Sequence, residues 1–266
     1  MEQAWVEFLR APDEAGHAVQ IYAELDELAE SVAAYLATGF ATGDPAVVIA
    51  TPDHHETFSL FLGATGWDAG RLIETGLLTK LDADETLGSL LDDGQGISAS
   101  RFDEVVGGAI DAIEARFPGR RVRAFGEMVD LLTARGRHDT AVALEGLWND
   151  LAKTRRFSLL CGYNLDLFDA AAQKWPLSPV CDAHTHVRPA YDMARLDRAV
   201  FDALDEVLGS SSARMVHGIV REEANEHSAP ASQQMLVWIT ERMPRHADRV
   251  LAVARAKYAR SAIPAG

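Results

Sequence analysis

Two histidines and a carboxylate fall within the five residues Asp182-Ala-His184-Thr-His186. On an extended backbone, side chains at i and i+2 point to the same side, so His184 and His186 could offer two imidazole nitrogens to one metal ion. The chain has two cysteines, Cys161 and Cys181, and either thiolate would extend that donor set. The plain alternatives are a polar loop with solvated imidazoles and, for Cys161 inside an apolar stretch, a small buried hydrophobe. Carboxylates in apolar surroundings form a second group. Glu127 follows RVRAFG, and Glu145 lies in ALEGLWNDL with Trp148 and Asn149 three and four residues on, on one helix face. A buried carboxylate needs a partner, and Arg123, two residues before Phe125 on the same strand, is the expected one. These residues read either as an internal ion pair or as the polar lining of a small-molecule pocket walled by Tyr22, Phe125, Trp148 and Tyr163.

Other chemistries are disfavoured. A phosphate-binding P-loop needs Gly-Lys-Ser/Thr between strand and helix, but none of the four lysines follows a glycine. The connection after the first expected strand, AELDELAES (23–31), carries four carboxylates that would repel a triphosphate, so ATP is not expected. No GxGxxG follows a strand and no G-x-S-x-G elbow occurs, which leaves a dinucleotide site and an α/β-hydrolase unsupported. Metal-dependent amidohydrolases use a similar D-x-H-x-H on a first barrel strand, but their barrel needs about 200 further residues. That hydrolase reading stays as an alternative to a non-enzymatic protein. His54-His55, beside Asp53, reads as a general base or as solvated imidazoles at a helix start.

The elements that would position these groups alternate. Strands are expected at 17–22, 46–51, 77–82, 121–126 and 157–163, separated by helical stretches such as 25–39, 101–117 and 138–154. This pattern predicts a mostly parallel sheet with helices on both faces and ligands at the strand carboxyl ends. The stretch 175–189 is Pro-rich and reads as irregular. From 190 onward only helical periodicity remains, over about 190–208, 212–227, 230–241 and 245–259. The expected domains are therefore 1–189, α/β, and 190–266, a helical region serving dimerisation or output.

The 266 residues are 48% hydrophobic and 24% charged, an ordinary globular composition. Two cysteines exclude a disulfide scaffold, and no apolar run is long enough to span a bilayer. With no secretory signal visible, a cytoplasmic location is expected. Residues from 191 onward hold ten acids and ten bases, so the first 190 carry the whole formal charge of −15, which disfavours nucleic-acid binding. The last helix, with Arg242, Arg245, Arg249, Arg255, Lys257 and Arg260, is basic and could meet an acidic partner, a membrane surface or the chain's own acidic domain.

Several segments together resemble the methanogen/methylotroph sensory (MEDS) domain family. They are H-x-V-x-x-Y (17–22), YLATGFATGDPAVVIATPDH (35–54), TGWDAGRLIETGLLTKLDADETL (65–87), VRAFGEMVDLL (122–132), LEGLWNDL (144–151), FSLLCGYNLDLF (157–168) and CDAHTHVRP (181–189). The resemblance covers about 10–190 and adds His17 to the ligand-binding candidates. It implies a RecA/KaiC-like α/β fold without the Walker lysine, followed here by an all-helical appendage. It also implies a sensory module for small, often hydrocarbon-like compounds, coupled to a kinase, a transcription regulator or a second copy of the chain. No kinase sequence and no clear helix-turn-helix follows residue 190. A metal- or cofactor-binding protein and a ligand-free interaction module remain as alternatives.

Overall fold

The computed structural model describes residues 2–13, 16–92, 96–169, 180, 182–188, 192–223 and 231–260. The chain divides into two compact units: Met1–Asn164 with Ala183–Arg188, and Leu165–Asp182 with Pro189–Gly266.

The first unit is a parallel six-stranded sheet of order β3-β2-β4-β5-β1-β6. Its strands are β1 (His17–Tyr22), β2 (Ala46–Ala50), β3 (Leu78–Asp82), β4 (Val122–Gly126), β5 (Phe157–Asn164) and β6 (His186–Arg188). Five of these fall where apolar runs of strand length predict them. The sixth lies in the stretch expected to be irregular. Three residues are too few to show alternation, and what makes them a strand is the open edge of β1, whose backbone groups need partners. Val187 pairs with Val19, and Thr185 ties down the approach by donating its N–H (2.7 Å) and its hydroxyl (2.9 Å) to the His17 carbonyl.

An N-terminal helix, α1 (Glu2–Arg10), was not foreseen; it buries Trp5, Phe8 and Leu9. Between strands come α2 (Leu25–Thr42), α3 (Pro52–Ala64), α4 (Ala69–Thr75), α5 (Ala83–Leu90) and α6 (Ala99–Phe102). A π-helical turn, Asp103–Gly107, then joins α6 to α7 (Gly108–Arg116), and α8 (Met128–Ala134) and α9 (His138–Leu151) follow. Local chemistry sets the ends. Asp68 and Asp82 accept the Arg71 and Glu85 amides at 2.7 and 2.9 Å, and α2 stops at Gly43 with φ +81, a left-handed position that favours glycine.

Strand alternation sorts the side chains onto two faces. Tyr22, Val48, Phe125 and Leu160 pack with α1 to α4 in one core. On the other face, Trp148 of α9 meets Phe157 and Phe102 at centroid distances of 5.8 and 5.1 Å and lies beside Gly126.

Arg123 belongs to the first face and is not the partner of Glu127. Its guanidinium donates to the carbonyls of Leu9 (2.8 Å), Tyr35 (2.7 Å) and Arg10 (2.9 Å) and to the Thr38 hydroxyl (3.0 Å), tying α1 to α2 beneath the sheet. Distance along the strand separates the two: Arg123 lies near the amino end of β4 and Glu127 just past its carboxyl end, four residue rises or about 13 Å away. Gly39 lets the arginine stem pass: a Cβ there would lie 2.5 Å from Arg123 Cδ. Arg123→Met should cost about 2–4 kcal/mol by removing the charged donor from three carbonyls, of which Leu9 and Tyr35 keep only the Thr38 hydroxyl as a side-chain donor, and Gly39→Ala about 1–3 kcal/mol. Because both act through the same side chain, the double variant should lose less than the sum in urea denaturation.

The second unit holds α10 (Met193–Leu208), α11 (Ser210–Glu223), α12 (Ala231–Arg242) and α13 (Pro244–Arg260), matching the helical periodicity. Leu196, Val200, Leu204, Val216, Leu236 and Val250 are buried in it. Two cations of the basic α13 are taken within this unit, Lys257 by Glu206 at 2.9 Å and Arg255 by Asp166 at 2.5 Å. Among the described residues, no helix is long and apolar enough to cross a membrane.

Candidate functional site

The sheet divides the candidate residues into two polar clusters. The first lies at the carboxyl ends of β1, β2, β4 and β5, the place predicted for ligands in an open parallel sheet. Glu127, buried just past β4, accepts the Thr51 N–H at 2.6 Å through Oε1 and meets His54 Nδ1 at 2.5 Å through Oε2. One helical turn on, Asp130 accepts the Asn164 N–H at 2.9 Å and the Tyr22 hydroxyl at 3.4 Å. The connections leaving β1 and β2 carry their helices to one face and those leaving β4 carry theirs to the other, so these side chains meet where the layers part.

The electrostatics of this cluster are set by burial against charge. Burial works against an ionised Asp130, the Asn164 amide works for it and Glu127 adds repulsion, and the net effect pushes its pKa up to about 7. Burial opposes a charged His54, yet its bond to Glu127 and the nearby carboxylates hold its pKa above the usual imidazole value. Burial, with Asp130 and Glu127 close by, pushes the Tyr22 hydroxyl far up, so it remains a neutral donor. An acid titrating near neutrality, a hydrogen-bonded imidazole–carboxylate pair and a phenol together make a polar, proton-flexible head-group site.

The second cluster lies on the opposite face, inside the core. His17 of β1, Cys161 of β5, Glu145 of α9 and His184 are all buried, and one donor atom from each lies within 4.8 Å of all the others. His17 Nε2 is 3.4 Å from Cys161 Sγ and 3.3 Å from Glu145 Oε2. His184 Nε2 is 3.5 Å from Glu145 Oε1, and the two imidazole centroids are 4.0 Å apart. Tyr163 donates its hydroxyl to Glu145 Oε1 at 2.8 Å, and Asn149 Oδ1 meets His17 Nδ1 at 3.0 Å. Burial opposes the Glu145 charge, but His184, His17 and the Tyr163 hydroxyl outweigh it and hold the carboxyl below its ordinary range. Burial and that carboxylate push Cys161 and Tyr163 well up.

Of the expected pocket walls, Tyr22 and Phe125 lie on one face and Trp148 and Tyr163 on the other, all four buried, so they do not share a pocket. His184 and His186 also part company. Residues 182–183 are helical and 185 is a bend, so the extended-strand rule does not reach His184, and His186 lies against Phe8 at 5.2 Å. Cys181 lies outside the described residues. Of the residues added here, His54 and Asn164 lie at the strand ends where ligands are expected, and Asp130 has no such reading from the sequence. The available signals were His54 just past a strand end and Asp130 one helical turn after Glu127.

This fold and these clusters define an open-sheet α/β domain with convergent polar groups at its carboxyl edge. Residues 16–175 match the MEDS family, the MEthanogen/methylotroph, DcmR Sensory domain. The match spans more than half of the chain, which therefore belongs to this family of sensory domains. It takes in both clusters except His184. No curated protein matches the chain.

Proposed function

We propose that the chain is a non-enzymatic sensor that binds a small organic molecule over the carboxyl ends of β1, β2, β4 and β5. Residues 190–266 then serve as output or dimerisation region toward a kinase, a transcription regulator or a second copy. The observation that carries this reading is the Tyr22–Asp130 and His54–Glu127 cluster, which gathers titratable groups from the end of β1 and the starts of α3 and α8 at one edge of the sheet. Two carboxylates and one imidazole favour a neutral or cationic head group with hydrogens to donate, and disfavour phosphate. Occupancy reaches an output only if the ligand favours one conformation of the protein over another.

The test is thermal melting of the full chain with a panel of small alcohols, amines, amides and halides, together with native mass spectrometry of gently purified protein. A ligand at about a hundred times its Kd should add about 2.7 kcal/mol, a rise of roughly 5–10 °C. His54→Ala and Glu127→Gln should abolish the rise. A rise kept by both variants but lost on Met235→Trp would overturn the site in favour of the 290 Å³ cavity between α11 and α12. A bare native mass with no response to the panel would favour the ligand-free interaction module.

A further inference from the structure

The buried cluster on the other face has a geometry that its hydrogen bonds leave incomplete. Asn149 Nδ2 donates to the Ala183 carbonyl at 3.2 Å, which turns Oδ1 toward His17. An amide oxygen only accepts, so His17 Nδ1 must carry a hydrogen, and Nε2 is the nitrogen turned into the cluster. It lies 3.3 Å from Glu145 Oε2 and 3.4 Å from Cys161 Sγ. A shared positive charge, whether a proton on the imidazole or a metal ion, is what holds an imidazole nitrogen, a sulfur and a carboxylate this close in a buried site. An N–H···O bond behind the imidazole, fixing its tautomer and aiming the other nitrogen inward, is the arrangement metal-ligating histidines use.

The spacings agree. Ligand atoms at 2.0–2.3 Å from a tetrahedral ion are separated by about 3.3–3.8 Å. The His17 separations of 3.4 Å to Cys161 Sγ and 3.3 Å to Glu145 Oε2 fall in that range, as does the 3.5 Å between His184 Nε2 and the other Glu145 oxygen, and the four donors lie within 4.8 Å of one another, so an ion would draw the wider pairs together. We propose that His17 Nε2, Cys161 Sγ, His184 Nε2 and one Glu145 oxygen bind a single first-row divalent cation, of zinc type, in a closed four-coordinate site. Two imidazoles, one thiolate and one carboxylate are a borderline donor set that suits zinc over magnesium or calcium. Four protein ligands leave no open position, so the ion's role is structural or sensory. It would clamp β1, β5 and α9 to the segment leading into the short edge strand β6. This site is separate from the carboxyl-end cluster and does not depend on a ligand binding there.

The experiment uses the full chain, stripped with a strong chelator and titrated with Co²⁺ and then Zn²⁺. The expected result is one Co²⁺ per chain, with the intense visible bands of tetrahedral cobalt and a near-ultraviolet sulfur-to-cobalt band, all erased by one equivalent of Zn²⁺. Cys161→Ser should remove the sulfur band and His184→Ala should weaken binding at least 100-fold. Asn149→Ala, a positioning change, should weaken it about 10- to 100-fold, while His186→Ala should leave it intact. Weak octahedral spectra from wild-type protein, or a sulfur band that survives Cys161→Ser, would overturn the proposal. The wild-type spectrum decides even where a variant fails to fold.

Discussion

Asp130→Asn should make the protein more stable at pH 8, by about 2–3 kcal/mol, although it removes a charge from a polar site. The carboxyl has its pKa pushed up to about 7 in the folded protein, whereas in the unfolded chain it returns to the ordinary value near 4. Below pH 4 both states are protonated and the group is neutral in its effect. Between pH 4 and 7 the unfolded chain has released the proton while the folded protein still holds it, so wild-type stability falls as the pH rises through that window. Above 7 the full cost remains. A shift of about three pH units corresponds to roughly 4 kcal/mol, reduced here because Asp130 is only half-buried. Asparagine keeps the acceptor for the Asn164 N–H and never ionises. Melting curves should give the variant a lead of about 5–10 °C at pH 8 that closes by pH 4.5. A variant less stable than wild type at pH 8 would show that the carboxylate is favourably held. The gain should come with a weaker ligand response, the usual exchange between stability and a strained polar site.

Trp148→Ala should have the opposite character, costing about 3–5 kcal/mol and lowering the melting temperature by about 10 °C or more. The indole is fully buried, edge-on to Phe102 at 5.1 Å and 86° and tilted on Phe157 at 5.8 Å. Removing it leaves a cavity under β4 and β5 whose aromatic walls are too rigid to close. The sequence suggests a ligand-facing indole, for which substitution would weaken binding more than folding. In the structure the ligand response per folded molecule should be unchanged. Chemical denaturation, read beside the thermal response to a ligand, separates the two effects.

How far the fold and the sites could be read in advance depended on the range of the forces involved. Five strands and the four helices beyond 190 were legible because burial of one face writes a period of 2 or 3.6 into any segment of sufficient length. The strand His186–Arg188 was not, since a segment this short takes its conformation from the neighbour that pairs with it. The same contrast holds for the candidate sites. Glu127 and Glu145 stood out as carboxylates in apolar surroundings, and both are buried. Their partners could not be named from spacing. Arg123, close to Glu127 in sequence, lies at the other end of β4, while His54, far away in sequence, meets it because β2 and β4 are adjacent.

By itself, then, the sequence determined the residue types, the alternating elements, the acidic first 190 residues and the absence of a lysine-bearing phosphate loop, all of which are local properties. Only the tertiary structure decided which face of the sheet each side chain occupies. That choice placed Tyr22 at the carboxyl-edge cluster and brought His17, Glu145, Cys161 and His184 together in the core. The reason is physical: alternation tells which residues share a face of one strand, but strand order and register decide which strands share that face.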